Sequence, residues 1–277
     1  MSEVTINCKG KLIGLDEPKV MGILNITPNS FYDGGRYKSD TDFLNQAEKM
    51  LNDGASFLDL GAYSSKSGAE FVSVEEEIQR LLPILELLLK EFPEVLISID
   101  TFRAAVAKAA IDSGATLIND ISGGMLDDAM LQTVGELQVP YIMMHMRGTP
   151  NTMQQFTQYN DLVGDILYYF SERIATAKTH NIKDIIIDPG FGFSKTVSQN
   201  YELMRKLELF AILELPLLVG ISRKSMIYKL LESSPNEALN GTTVLNTIAV
   251  QKGAKILRVH DVKEAVETLQ ILNKILL

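Results

Sequence analysis

The sequence predicts an α/β protein built as a closed barrel of eight parallel strands, each followed by a helix. Two observations carry that expectation. The first is a recurring unit in which a helical stretch ends in Gly-Ala and a short apolar run follows. It occurs as Asn52-Asp-Gly-Ala before Phe57-Leu-Asp-Leu-Gly61, as Asp112-Ser-Gly-Ala before Thr116-Leu-Ile-Asn-Asp120, and as Gln251-Lys-Gly-Ala before Lys255-Ile-Leu-Arg-Val-His260. Glycine is the preferred residue where a helix ends by turning left-handed. The second is that strand-like and helix-like segments alternate from Val20 onward, with no linker, low-complexity stretch or charge block between them. Eight such units in about 250 residues have the size and pattern of a TIM (β/α)8 barrel. A doubly wound sheet is the alternative, but no Gly-x-Gly-x-x-Gly follows the first strand. Residues 1–277 are therefore read as one domain.

In chain order, Val4-Thr-Ile-Asn and Lys11-Leu-Ile-Gly flank Lys9-Gly10 as a short N-terminal β-hairpin. The expected barrel strands are Val20–Leu24, Phe57–Gly61, Val95–Ile99, Thr116–Asp120, Pro140–Met144, Asp184–Ile187, Leu217–Val219 and Lys255–His260. Helices are expected over Thr41–Leu51, Phe102–Asp112, Asp127–Leu137, Asp161–Thr179, Gln199–Leu209, Glu237–Gln251 and Val262–Leu276. A further helix opens on the capping-box sequence Ser73-Val-Glu-Glu and carries Ile78, Leu81, Leu82, Leu85 and Leu89 on one face.

Bulk properties narrow the function. A hydrophobic content of 46% with 22% charged residues can fill a large core. No run reaches the roughly 18 apolar residues of a membrane span, and Met1-Ser-Glu-Val-Thr lacks the basic start and apolar core of a signal peptide. A single cysteine, Cys8, excludes an internal disulfide framework and suits a reducing cytoplasm. A net charge of −9 argues against nucleic acid as the partner.

The polar residues point to a site. Barrel interiors are apolar and active sites lie at the strand C-termini, yet here those ends carry Asn25, Asp59, Asp100, Asn119, His145, Asp188, Ser222, Arg258 and His260. Asp100, Asn119 and Asp188 offer carboxylates and an amide to a planar ligand with several N–H donors and acceptors, as in a pterin heterocycle. Ile221-Ser-Arg-Lys-Ser225 places cations and hydroxyls where a helix N-terminus also favours an anion. Arg258 and His260 add donors for a phosphate or pyrophosphate, and Arg223 reads as a surface ion-pair partner. There is no Cys/His cluster with zinc spacing, no P-loop and no nucleophile elbow. Magnesium needs only one or two protein oxygens besides substrate phosphates, and Asn25 offers one.

With those residues placed, the sequence resembles the dihydropteroate synthase family over essentially its whole length. The resemblance rests on Met21-Gly-Ile-Leu-Asn-Ile-Thr-Pro28, Asp100-Thr101, Asn119-Asp120, Met144-His-Met146, Asp188-Pro-Gly-Phe-Gly-Phe193, Gly220-Ile-Ser-Arg-Lys-Ser225 and Arg258-Val-His-Asp-Val262, in that order. It implies condensation of 6-hydroxymethyl-7,8-dihydropterin pyrophosphate with p-aminobenzoate in folate biosynthesis, by an SN1-like route, in a cytoplasmic homodimer that is a sulfonamide target. It further implies that Asp100, Asn119, Asp188, Lys224 and Met143 hold the pterin. Asn25, Arg258 and His260 would hold the pyrophosphate, with Mg2+ at Asn25. Phe31, Ser65, Ser67, Phe193, Ser222 and Lys224 would line the p-aminobenzoate pocket, and Asp100, Lys224 and Asn25 would be the catalytic residues.

Two loops depart from the family pattern. The first usually reads Thr-Pro-Asp-Ser-Phe, but here position 29 is Asn29. The second usually reads Glu-Ser-Thr-Arg-Pro-Gly, but here it is Tyr63-Ser-Ser-Lys-Ser-Gly68. Lys66 keeps a charge without the planar fork of arginine, and Ser67 lacks the fixed φ of proline. Ser65, Lys66 and Ser67 are expected to change how p-aminobenzoate and sulfonamides are told apart more than they change pterin binding. Rival readings are a pterin-binding methyltransferase on the same barrel and a non-catalytic pterin-binding paralogue. The first would not need the Ser222–Lys224 and Arg258–His260 anion sites, and the second should have lost some of Asn25, Lys224 and Arg258.

Overall fold

The computed structural model describes residues 4–26, 40–63 and 72–276. Ten strands are found among them: β1 Thr5–Cys8, β2 Lys11–Gly14, β3 Lys19–Asn25, β4 Phe57–Gly61, β5 Ile97–Asp100, β6 Leu117–Asp120, β7 Tyr141–Met144, β8 Ile185–Asp188, β9 Leu217–Val219 and β10 Ala254–Val259. β1 and β2 pair antiparallel as the expected hairpin. β3 to β10 close into a barrel in chain order, with β10 beside β3, so the doubly wound alternative is excluded.

Helices wrap the barrel on bounds close to those expected. Helix Val74–Glu91 starts at Ser73, whose side chain accepts from the Glu76 N–H at 3.1 Å. Its buried face differs from the expected one: Glu77, Leu81, Ile84, Leu85 and Leu88 are buried. Glu77 can be there because Arg103 pairs with it at 2.8 Å and Thr101 donates to it at 2.8 Å. The helix expected to run to Leu209 ends at Arg205 and passes into a 3-10 segment, Leu207–Leu213. A short helix, Ser225–Leu230, follows β9. The glycines of the three Gly-Ala units, Gly54, Gly114 and Gly253, all have φ near or above +99°, as the helix-end argument requires.

Strand alternation divides the core in two. Residues such as Leu24, Leu58, Ile99, Ile118, Met143, Ile187 and Val219 point outward and pack under the helices. Inward-pointing Met21, Phe57, Leu117, Ile142, Ile186, Leu218 and Ile256 form an apolar layer at the N-terminal end of the barrel. Ile6, Cys8 and Leu15 of the hairpin segment pack onto that layer, each no more than 2% exposed. The hairpin thus fills one end of the barrel, and the polar residues lie toward the other.

Candidate active site

Above the apolar layer the inward positions turn polar. Asp59 lies in β4, Asp100 and Asn119 end or nearly end β5 and β6, Asp188 ends β8, and Arg258 lies in β10. Arg258 joins them. Its Nε donates to Asp59 Oδ2 at 2.5 Å and a terminal nitrogen donates to Asp100 Oδ2 at 2.6 Å. Asn119 donates to the same Asp59 oxygen at 3.0 Å. Asp59 Oδ1 and Ser98 Oγ, on paired positions of β4 and β5, are buried without a hydrogen-bond partner among the described residues.

Asp59 stands at the centre of this array. The sequence marks it only as one polar strand residue among many, because nothing in a sequence tells that an arginine 199 positions away reaches it. Arg258, expected beside an anion, spends two of its donors on carboxylates. A planar fork bridges two carboxylates in a fixed geometry that the rotatable donors of a lysine do not supply.

Burial and charge shape the ionisation of the array. Asp100 is pushed up to about 7, first by burial and then by Asp59, although Arg258 opposes the shift. Asp188 is also raised by burial, against Lys224 and the Gly190 N–H, which donates to its Oδ1 at 2.8 Å. Burial would lower Arg258, but Asp59 and Asp100 outweigh it and hold the guanidinium charged. Gly61 leaves a gap here: a Cβ on it would lie 3.7 Å from Asp100 Oδ2 and 3.8 Å from Asn25 Oδ1. Asn25 and Asp100 therefore border the same space.

Lys224 precedes helix Ser225–Leu230 and turns back over the loop after β8. Its ammonium hydrogen-bonds the Phe191 carbonyl and sits 4.6 Å from the Phe193 ring centroid. Burial lowers it to about 8, with Asp188 opposing. Ser222 and His260 meet at the ends of β9 and β10, where the Ser222 hydroxyl is 3.1 Å from His260 Nδ1. Asp100, Asn119, Asp188, Lys224, Phe193 and Arg258 are thus brought to one mouth, with Asn25, Ser222 and His260 at its edge.

Two expectations resolve differently. Met143 faces the helices and packs in the outer core. The cause is strand parity: Asn119 pairs with Ile142, so the inward residues of β7 are Ile142 and Met144, and Met144 joins Phe193 in a small cluster. Arg223 is an ion-pair residue but not at the surface. Its side chain is 8% exposed and takes both oxygens of Asp261 at 2.8 and 2.7 Å. Phe31, Ser65 and Ser67, together with Asn29 and Lys66, lie outside the described residues. His145 is buried, its Nδ1 3.1 Å from the Lys195 ammonium. Lys195 itself was not legible, since a lone lysine in a sequence reads as surface.

Known proteins agree with this architecture. Residues 21–260 match the model of the pterin binding enzyme family. The dihydropteroate synthase of Escherichia coli strain K12 is 43% identical over 267 residues, covering 96% of this chain and 94% of its own length. Among solved structures, Yersinia pestis dihydropteroate synthase in a sulfonamide drug complex superposes with a TM-score of 0.94 at 40% identity, covering 98% of this chain and 99% of its own. The Xanthomonas albilineans enzyme with 4-aminobenzoic acid gives 0.91 at 35% identity, covering 99% of each. With a barrel, a polar mouth and near-full-length relatives in hand, the chain belongs to the pterin binding enzyme family, among the dihydropteroate synthases.

Proposed function

We propose that the protein condenses 6-hydroxymethyl-7,8-dihydropterin pyrophosphate with p-aminobenzoate, releasing 7,8-dihydropteroate and pyrophosphate. The observation that supports this most is identity of 43% to a dihydropteroate synthase over 96% of the chain, with the polar array of Asp100, Asn119, Asp188, Lys224 and Arg258 intact. The chemistry suits the residues. The C–O bond to the diphosphate breaks with its electron pair leaving on oxygen. The cation left on the pterin is then attacked by the aniline nitrogen, which forms the C–N bond and loses a proton.

Such a route needs charge stabilisation and no nucleophilic side chain. Asn119 and Asp188 match the N–H and carbonyl edge of the pterin. Ionised Asp100 stabilises the cationic ring in a site largely removed from water. Lys224, held between the Phe191 carbonyl and the Phe193 ring, joins the pterin to the aminobenzoate position, which Phe193 and Ser222 border. His260 and Asn25 face the diphosphate, with Arg258 adding charge nearby. Sulfonamides are read as competitors for the aminobenzoate position.

Magnesium fits one part of this mouth. Asn25 supplies a single amide oxygen, and among the described residues no group of three or more His, Cys, Asp or Glu side chains could hold a metal ion. That donor set suits an ion that keeps its waters and shares substrate phosphate oxygens. When bound, magnesium would neutralise charge on the leaving diphosphate. The reading extends to a cytoplasmic homodimer. The lone, reduced-type cysteine supports the compartment, and exposed Leu230, Leu231 and Val244 on neighbouring helices support a second copy. Among the described residues no helix is long and apolar enough to cross a membrane.

Mixing the protein with dihydropterin pyrophosphate, p-aminobenzoate and Mg2+ should release one pyrophosphate per dihydropteroate formed. Absence of release at every substrate concentration sinks the reading and favours a binding module.

A further inference from the structure

We infer that Lys195 is a positioning residue: it fixes the turn carrying Phe193 and the carbonyl that anchors Lys224, and so sets where p-aminobenzoate lies. The inference rests on the function proposed above. Lys195 is 3% exposed, and burying an ammonium is costly unless its donors are matched. Here all three are matched, and none by a carboxylate. The ammonium lies 2.9 Å from the Gly190 carbonyl, 3.0 Å from the Phe193 carbonyl and 3.1 Å from His145 Nδ1.

The two carbonyls belong to the turn between β8 and the helix beginning at Val197, and His145 follows β7. Gly190, Gly192 and Ser194 all take positive φ, at 73°, 83° and 52°, which rotates successive carbonyls in different directions. The Gly190 and Phe193 carbonyls turn inward to Lys195, while the Phe191 carbonyl between them turns to Lys224. Two lysines thus hold three carbonyls of one turn. The turn also abuts β7 closely, since a Cβ on Gly190 would lie 2.1 Å from the His145 carbonyl oxygen. His145 accordingly serves the turn rather than the ligand.

The charged neighbours are consistent with this arrangement. Burial, Lys224 and Arg147 lower Lys195 to about 7, and Asp188 opposes them. His145 is held neutral well below its usual range by burial and by Lys195 and Arg147, which keeps a ring nitrogen able to accept. Releasing the turn would displace the Phe193 ring and the Lys224 anchor together. Asp100, Asn119 and Arg258 form their own hydrogen-bonded array on β4, β5, β6 and β10 and would stay in place.

The test compares Lys195→Met, which keeps the straight chain and removes every donor, with Lys195→Gln, which retains two. The expected result for Lys195→Met is a KM for p-aminobenzoate raised about tenfold or more, with that for dihydropterin pyrophosphate within about twofold. Lys195→Gln should recover most of the difference. Both KM values unchanged, both rising together, or failure of both variants to fold would overturn the role and leave Lys195 a structural residue. If only Lys195→Met fails to fold, Lys195→Ala, which also removes every donor, is read by the same split. Absence of pyrophosphate release from the unsubstituted protein overturns the functional reading and this role together, whereas the variants, read against an active parent, decide Lys195 alone.

Discussion

Replacing Arg258 by methionine is expected to lower kcat/KM by at least about a hundredfold and to cost on the order of 3–5 kcal/mol of stability. The guanidinium is the only side chain bonded to both Asp59 and Asp100 in the hydrogen-bond array of the described residues. Asp59 is fully buried, and without Arg258 its carboxyl keeps, among the described residues, the Asn119 amide as its one hydrogen-bond partner. A buried carboxylate stripped of its cation is far more costly than a surface one. Activity falls for a linked reason: Asp100 and Asn119 lose the strut that aligns them, and Asp100 is pushed further toward its neutral form. Arg258→Lys should recover part of the stability and little of the activity, because an ammonium cannot span two carboxylates with a fixed fork. Urea unfolding and steady-state kinetics check both halves. An unchanged urea midpoint for Arg258→Met would show that the pair is not structural.

The second large effect is with pH. From pH 8 to pH 5, kcat/KM is expected to fall about a hundredfold, tenfold per unit once below the Asp100 pKa. Burial and Asp59 push Asp100 up to about 7, so its carboxylate is progressively protonated across that range and can no longer offset a cationic ring. Above about 8 a second decline should follow as Lys224, lowered by burial, loses its proton. Stability should move the opposite way on the acid side. In the folded state Asp100 binds its proton more tightly than its ordinary value of 3.8. Between about 4 and about 7 the native state therefore holds more protons than the unfolded state, and this group's contribution to stability decreases as pH rises through that window. Asp100→Asn should abolish the acid limb of the rate profile, leave kcat low at every pH, and flatten the stability slope. A rate profile level between pH 8 and pH 5 in the unsubstituted protein would contradict the assignment.

Much of the barrel is legible because its signals are local. Gly-Ala ends a helix whatever lies beyond it, and a short apolar run closed by a polar residue reads as a buried strand with its chemistry at the mouth. Asn25, Asp100, Asn119 and Asp188 read that way, and the structure sets each at or beside a strand end. What escaped depends on partners distant in sequence or on the parity of a strand. Glu77 looks like a solvent-facing residue until Arg103 arrives, 26 positions later. Met143 and Met144 are equal in composition and differ only in which side of the pleat they occupy, a one-residue ambiguity that reverses a side chain's direction. Asp59 needs Arg258, and Lys195 needs three acceptors gathered by a turn with positive φ. Helix Ser225–Leu230 is too short for periodicity to declare itself.

The hairpin that fills the barrel's far end gives the protein a built-in clock. Cys8 is the sole cysteine of the chain, 2% exposed on the hairpin's buried face, its thiol pushed up to about 12 by burial and by Asp184. Alkylation requires both access and thiolate, and the two arrive together only when the hairpin lifts away. Labelling at a single sulfur therefore counts openings of one end of the molecule. The polar mouth proposed for the substrates lies at the other end, so any slowing of that label by a bound pterin measures how rigidly eight strands carry a disturbance along their length.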